Sequence, residues 1–176
     1  GRAHSPEQAA NAVRQAKRAG FLNISVDIML GIPGQSPESL KQTLDFIGGL
    51  DLQHVSAYLL NIEQGTPFDR MQVLKDCPDD DTAADLYLQA VEALESMGFQ
   101  QYEISNFARP GYESRHNLKY WRCEEYLGFG AAAHSFYQGK RYAHTRNLEA
   151  YLSDAEKDIN VTEEHAGKIS ERLMLN

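Results

Sequence analysis

The sequence predicts an α/β domain whose strands run parallel, and three observations carry this. Residues 24–30 (ISVDIML) and 54–60 (HVSAYLL) are short, mostly apolar and rich in β-branched residues, as strands buried on both faces should be. A helical pattern opened by Ser-Pro-Glu precedes each of them. The connections are short, so each helix serves as a crossover that returns the chain in the same direction.

The elements follow in order. Ser5-Pro6-Glu7 supplies an N-cap, a proline in the first turn and an early acid, and the apolar and alanine positions recur to Ala19 before Gly20 closes the helix. The first strand ends at Gly31-Ile32-Pro33-Gly34, which marks a turn. Ser36-Pro37-Glu38 opens a second helix to about Ile47, and the second strand follows. Residues 64–81 form a polar loop with Gly65, Pro67 and Pro78. A long helix over 82–97 stops at Gly98, and residues 102–107 (YEISNF) read as a third strand. Asn147 caps a helix to about Lys157, and Thr162-Glu163-Glu164 begins a last one. The chain stops inside an apolar pattern at Leu173-Met174-Leu175-Asn176, which reads as a piece cut from a longer protein.

Composition bounds the function. The 176 residues suffice for a domain with a real core, and 42% apolar with 24% charged residues is ordinary for a globular protein. A formal charge of −8 argues against nucleic acid or an anionic membrane surface as the main partner. No apolar run approaches the roughly 18 residues of a membrane helix, and no signal-peptide pattern opens the chain. Two distant cysteines, Cys77 and Cys123, make neither a disulfide framework nor a zinc spacing. A reduced, cytoplasmic protein is the expectation. No nucleophile elbow, phosphate loop or His-Glu-x-x-His is present.

Some residues do not fit a bland core. Asp27 interrupts an apolar strand near its carboxyl end, where parallel α/β folds place ligands. A buried carboxylate must be paired, hydrogen-bonded or turned to a ligand, and position alone leaves an ion pair and a ligand site equally open. Asn61 and Glu63 follow the second strand, in a loop that solvent alone could explain. Residues 116–135 (HNLKYWRCEEYLGFGAAAHS) hold His116 and Asn117 ahead of Tyr120-Trp121, then a Gly-x-Gly turn that lets the backbone approach something closely. Histidine can ligate iron and aromatic rings can stack on a flat ligand. An aromatic cluster at the edge of a sheet is the plainer reading.

The stretches VDIMLGIPGQSPESLKQTL, HVSAYLLNIEQGTPF and HNLKYW with YLGFGAAAHS, in that order and spacing, resemble the oxygen-independent coproporphyrinogen III oxidase-like radical SAM proteins. The His-Asn-x-x-Tyr-Trp motif and Ile62-Glu63-x-Gly65-Thr66-Pro67 resemble the heme chaperone branch more than the oxidase branch. The resemblance implies a partial TIM-like barrel, with residues 1–145 its C-terminal portion and 146–176 the start of a small helical domain. It implies S-adenosylmethionine and a [4Fe–4S] cluster in the intact parent. The family's three-cysteine cluster loop is absent here, so this chain should hold no cluster and do no radical chemistry alone.

Position by position, the resemblance assigns Arg2 to the carboxylate of S-adenosylmethionine, Asp27 to its ribose hydroxyls, and Asn61 and His134 to the lining of the adenosine site. It assigns His116, Asn117, Tyr120 and Trp121 to a heme- or porphyrin-facing side. The implied function is a heme chaperone that passes heme to a recipient protein. The alternatives are an oxidase that turns two propionates of coproporphyrinogen III into vinyl groups through a 5′-deoxyadenosyl radical, and a non-catalytic α/β binding domain. An unpaired barrel edge would invite association, as a homodimer or edge to edge.

Overall fold

The computed structural model describes residues 4–153 and the backbone of 160–165. Arg2, the expected helix beyond Ser153 and the apolar C-terminal pattern lie outside the described residues. The chain forms two compact units that divide between Glu113 and Ser114.

In the first unit, α1 (Pro6–Arg18) starts at a capping box. The Ser5 hydroxyl accepts from the Gln8 amide, and the Gln8 side chain accepts from the Ser5 amide. β1 (Ser25–Leu30) follows, then α2 (Pro37–Gly48), which Ser36 and Ser39 cap in the same reciprocal way. β2 (His54–Leu59) lies parallel to β1 with Ser25 opposite His54 and Leu30 opposite Leu59. The expected α-β-α-β start with a parallel pair is therefore present.

The expected polar loop contains a single helical turn, α3 (Pro67–Arg70), and a 3₁₀ turn over Val73–Asp76. α4 (Asp80–Ser96) is capped by Asp79. The expected strand over 102–107 is instead a hairpin of β3 (Gln100–Gln101) and β4 (Asn106–Ala108). The Glu103 carboxylate accepts from the Ser105 amide and the Asn106 side chain, which bends the chain between them. β4 slots between β2 and β3, antiparallel to both, giving the order β1-β2-β4-β3. Among the described residues these strands form an open partial sheet, with no closed barrel.

The core lies on the helix side of the sheet. Ile28, Leu30, Val55, Ala57 and Phe107 meet Leu40, Leu44 and Ile47 of α2, and Leu86, Ala90 and Leu94 of α4. Each Val, Leu, Ile or Phe among them contributes roughly 1.5–3 kcal/mol on burial. At the amino ends of the strands, two long cations tie the corners. Lys17 Nζ donates to the Leu50 carbonyl at 3.0 Å and to the Asp51 carboxylate at 2.7 Å. Arg109 Nε donates to the Leu52 carbonyl at 2.9 Å, and its guanidinium lies 4.9 Å from the centre of the Phe99 ring.

The second unit begins with α5 (Arg115–Trp121), capped by Ser114. β5 (His134–Tyr137), β6 (Lys140–Ala143) and β7 (Asn160–His165) form an antiparallel meander, and α6 (Leu148–Leu152) is capped by Asn147. The helix expected from Thr162 is thus corrected to a strand. Thr-Glu-Glu resembles a helix start locally, but the backbone groups of this stretch pair with β6 instead.

Candidate functional site

The sheet of the first unit has a second face, turned away from the helices, and it is polar. Strand alternation puts Ser25, Asp27 and Met29 of β1 on it, with His54, Ser56 and Tyr58 of β2 and Asn106 of β4. Register sorts them into rows. In the lower row the Ser25 hydroxyl meets His54 Nδ1 at 2.7 Å, and His54 Nε2 meets the Tyr102 hydroxyl at 2.8 Å. Burial holds the His54 pKa below its ordinary value, partly opposed by the carboxylates of Asp27 and Glu103.

The next row is Asp27, Ser56 and Asn106, directly opposite one another across three strands. Ser56 and Asn106 are 4% and 5% exposed. The Asn106 amide nitrogen donates to Glu103, while its Oδ1 is buried and accepts no hydrogen bond among the described residues. A buried acceptor left open beside a carboxylate and a hydroxyl suits a ligand rich in hydroxyl or amino donors.

Asp27 itself is exposed rather than buried. β1 is the edge strand, so the carboxylate keeps its water, and no Lys or Arg forms an ion pair with it among the described residues. It also borders a cavity of about 440 Å³ between β1, α1 and α2, together with His4. Asn61 lies just past the carboxyl end of β2, exposed, and its amide donates to Glu63 at 2.8 Å. The Gly-Ile-Pro-Gly loop after β1 is shaped by Gln35. Its side chain accepts from the Gly31 amide at 2.7 Å and donates to the Met29 carbonyl at 3.1 Å. Gly31 and Gly34 hold φ values of 71° and 70°, which only glycine adopts without strain.

In the second unit, helical spacing puts His116 and Tyr120 on one face of α5. His116 Nε2 lies 3.1 Å from the Tyr120 hydroxyl, and the Tyr120 ring meets Tyr126 edge-on at 4.6 Å between centres. His116 and Tyr120 are exposed, while Asn117 and Trp121 are half-buried. Tyr120 and Trp121 border a cavity of about 310 Å³, which His116 and Asn117 do not. His134 is exposed at the start of β5. The close approach expected of the Gly-x-Gly turn is internal: a Cβ on Gly128 would overlap the backbone carbonyl of His134.

Residue-by-residue reading of the sequence did not single out His54, Ser56 or Asn106. The signal in β2 was available, since His54, Ser56 and Tyr58 alternate with apolar residues at the strand period. Asn106 had no such signal, because its place depends on a hairpin.

No family model matches the sequence. The chain is 38% identical over 173 residues to the heme chaperone HemW of Lactococcus lactis, covering 97% of this chain and 46% of that protein. It is 36% identical to HemW of Escherichia coli, covering 93% and 45%. It is 39% identical to the mitochondrial radical S-adenosyl methionine domain-containing protein 1 of Mus musculus, covering 90% and 36%. The chain thus spans just under half the length of the HemW proteins it matches. In fold it is similar to coproporphyrinogen III oxidase (HemN) of Escherichia coli, a radical SAM enzyme, with TM-score 0.74 and 20% identity over 90% of this chain and 40% of that one.

The fold and the motifs it carries define part of a radical SAM protein. Within that class, the chain belongs to the coproporphyrinogen III oxidase-like family, on the branch of the heme chaperones.

Proposed function

We propose that the protein carrying this chain is a heme chaperone, which binds heme in the cytoplasm and hands it to a recipient protein. The observation that carries the reading is the gathering of the His-Asn-x-x-Tyr-Trp residues on α5, with Tyr120 and Trp121 on an aromatic-walled cavity. The likeness to HemW proteins supports it. In this reading His116, Asn117, Tyr120 and Trp121 face heme, residues 1–145 belong to the barrel, and 146–176 begin the next domain.

S-adenosylmethionine fits the polar face of the first unit. Asp27 and the open Asn106 Oδ1 would accept from its hydroxyl and amino groups, with Asn61 at the strand end. When bound, that cofactor supplies the source of a carbon-centred radical. A [4Fe–4S] cluster does not fit: it needs at least three thiolates, and the chain has two cysteines. Taken alone, this segment would present an edge of β1 that is unpaired among the described residues, which would allow association, edge to edge or as a homodimer.

The test is hemin binding by the full-length protein, wild type beside His116→Ala, followed by the Soret band and by retention through gel filtration. Retained heme that is lost in the variant supports the reading and assigns His116 as a ligand. Equal retention keeps the chaperone but removes His116 from its site. Absence of heme from both overturns the reading and favours the oxidase alternative, which rests on the likeness to HemN and predicts anaerobic turnover of coproporphyrinogen III.

A further inference from the structure

The cavity behind α5 has a composition that the His-Asn-x-x-Tyr-Trp motif does not account for. Tyr120 and Trp121 form one wall, and the others are Tyr126, Phe136 and Arg141, with Cys123 and Glu124 at the turn below the helix. At about 310 Å³ it lies at the small end of ligand pockets, room for one edge of a large molecule.

Strand pairing builds the far wall. Tyr126 and Phe136 exchange both backbone hydrogen bonds, at 2.7 and 2.9 Å, which fixes the two rings beside each other. Phe136 of β5 stands opposite Arg141 of β6, and the guanidinium carbon lies 5.9 Å from the ring centre. Among the described residues that line the cavity, Glu124 is the one acid, and it is 3.9 Å from Arg122. The hollow therefore offers flat apolar faces on several sides and a fixed planar cation. A fork-shaped cation recognises a carboxylate, and aromatic faces recognise a flat conjugated ring.

We propose that this cavity holds the propionate-bearing edge of a porphyrin, with Arg141 pairing a propionate and Tyr126 and Phe136 packing against the macrocycle. The proposal rests on the heme reading above and adds to it a residue on β6 that selects carboxylated tetrapyrroles. It divides the labour between sequence-distant parts: α5 meets the ring, and the hairpin reads its acid.

The experiment titrates the full-length protein with metal-free protoporphyrin IX and with its dimethyl ester, which keeps the ring and lacks the carboxylates. Wild type should bind the diacid at least about tenfold more tightly than the ester, the size of one lost charge-assisted bond. Arg141→Gln should weaken the diacid by about that factor and leave the ester within about twofold, and Arg141→Lys should recover part of the loss. Wild type that binds acid and ester equally overturns the proposal, whatever the variants do to folding. So does an Arg141→Gln protein, folded by circular dichroism, that still prefers the diacid. Wild type that binds neither porphyrin overturns the proposal, while retention of hemin by the same protein decides the heme reading separately.

Discussion

His54 offers the sharpest test of the polar face. Replacing it with leucine keeps much of its volume and removes two hydrogen bonds, of 2.7 Å to Ser25 and 2.8 Å to Tyr102. At about 1 kcal/mol net for each, the expected loss is about 2 kcal/mol. The pH dependence carries more information. Burial keeps the folded imidazole neutral to lower pH than the unfolded one, which titrates near about 6.5. Below that pH the unfolded chain takes up a proton that the folded chain refuses. The stability contribution is therefore complete above that value and is lost as pH falls through it toward the depressed folded pKa, at no more than about 1.4 kcal/mol per pH unit. Urea unfolding of wild type and His54→Leu at intervals from about pH 8 to 5 measures both effects. The variant should be less stable at pH 8 and should lose less on acidification. A variant that falls as steeply as wild type would show that other groups set the slope. One as stable as wild type at pH 8 would show that the hydrogen bonds contribute nothing net.

Two further predictions concern the turns. Gly128→Ala should destabilise by roughly 1–3 kcal/mol, the range for forced overpacking, because its Cβ meets the His134 carbonyl; thermal melting checks it, with Gly130→Ala, where φ is 113° and no atom lies near, as a comparison whose cost is conformational. Gln35→Ala should cost about 1–2 kcal/mol by removing both bonds that hold the loop after β1. Hydrogen exchange at the Gly31 amide should speed up in that variant, and unchanged protection would refute the role of the side chain.

What could be read from the sequence was what neighbouring residues decide. Ser5 and Ser36 cap their helices as expected, and the strands of β1 and β2 fall within a residue of their apolar runs. Asp27 was correctly a misfit, but for the wrong physical reason, since it lies exposed on an edge strand. The hairpin of β5 and β6 went unread although Gln138-Gly139, with φ of 50° and 72°, is the kind of two-residue turn that joins antiparallel strands. β7 was misread because Thr162 to Glu164 carry a local helix signal, which pairing with β6 overrides. The two sites divide in the same way. His116 and Tyr120 meet through helical spacing, which a sequence displays. Asn106 and Arg141 reach their places through hairpin register, which it does not.

The cations at the lower corners of the first sheet have a consequence for how such a unit tolerates change. Lys17 and Arg109 bind carbonyls of the turn before β2, so their targets are backbone atoms that every sequence possesses. Substitutions within that turn leave these carbonyl bonds in place, provided the two cations remain, and the ion pair of Lys17 with Asp51 is the part that depends on a side chain of the turn. At the opposite end the loop after β1 rests on the Gln35 side chain bonded to the backbone of Met29 and Gly31, and the loop after β2 on the pair of Asn61 with Glu63, so there the identity of residues within the loops matters. An engineer grafting new loops onto this sheet would therefore have to supply new holding side chains at the ligand-side end, while the foundation at the other end does not need to be redesigned to match.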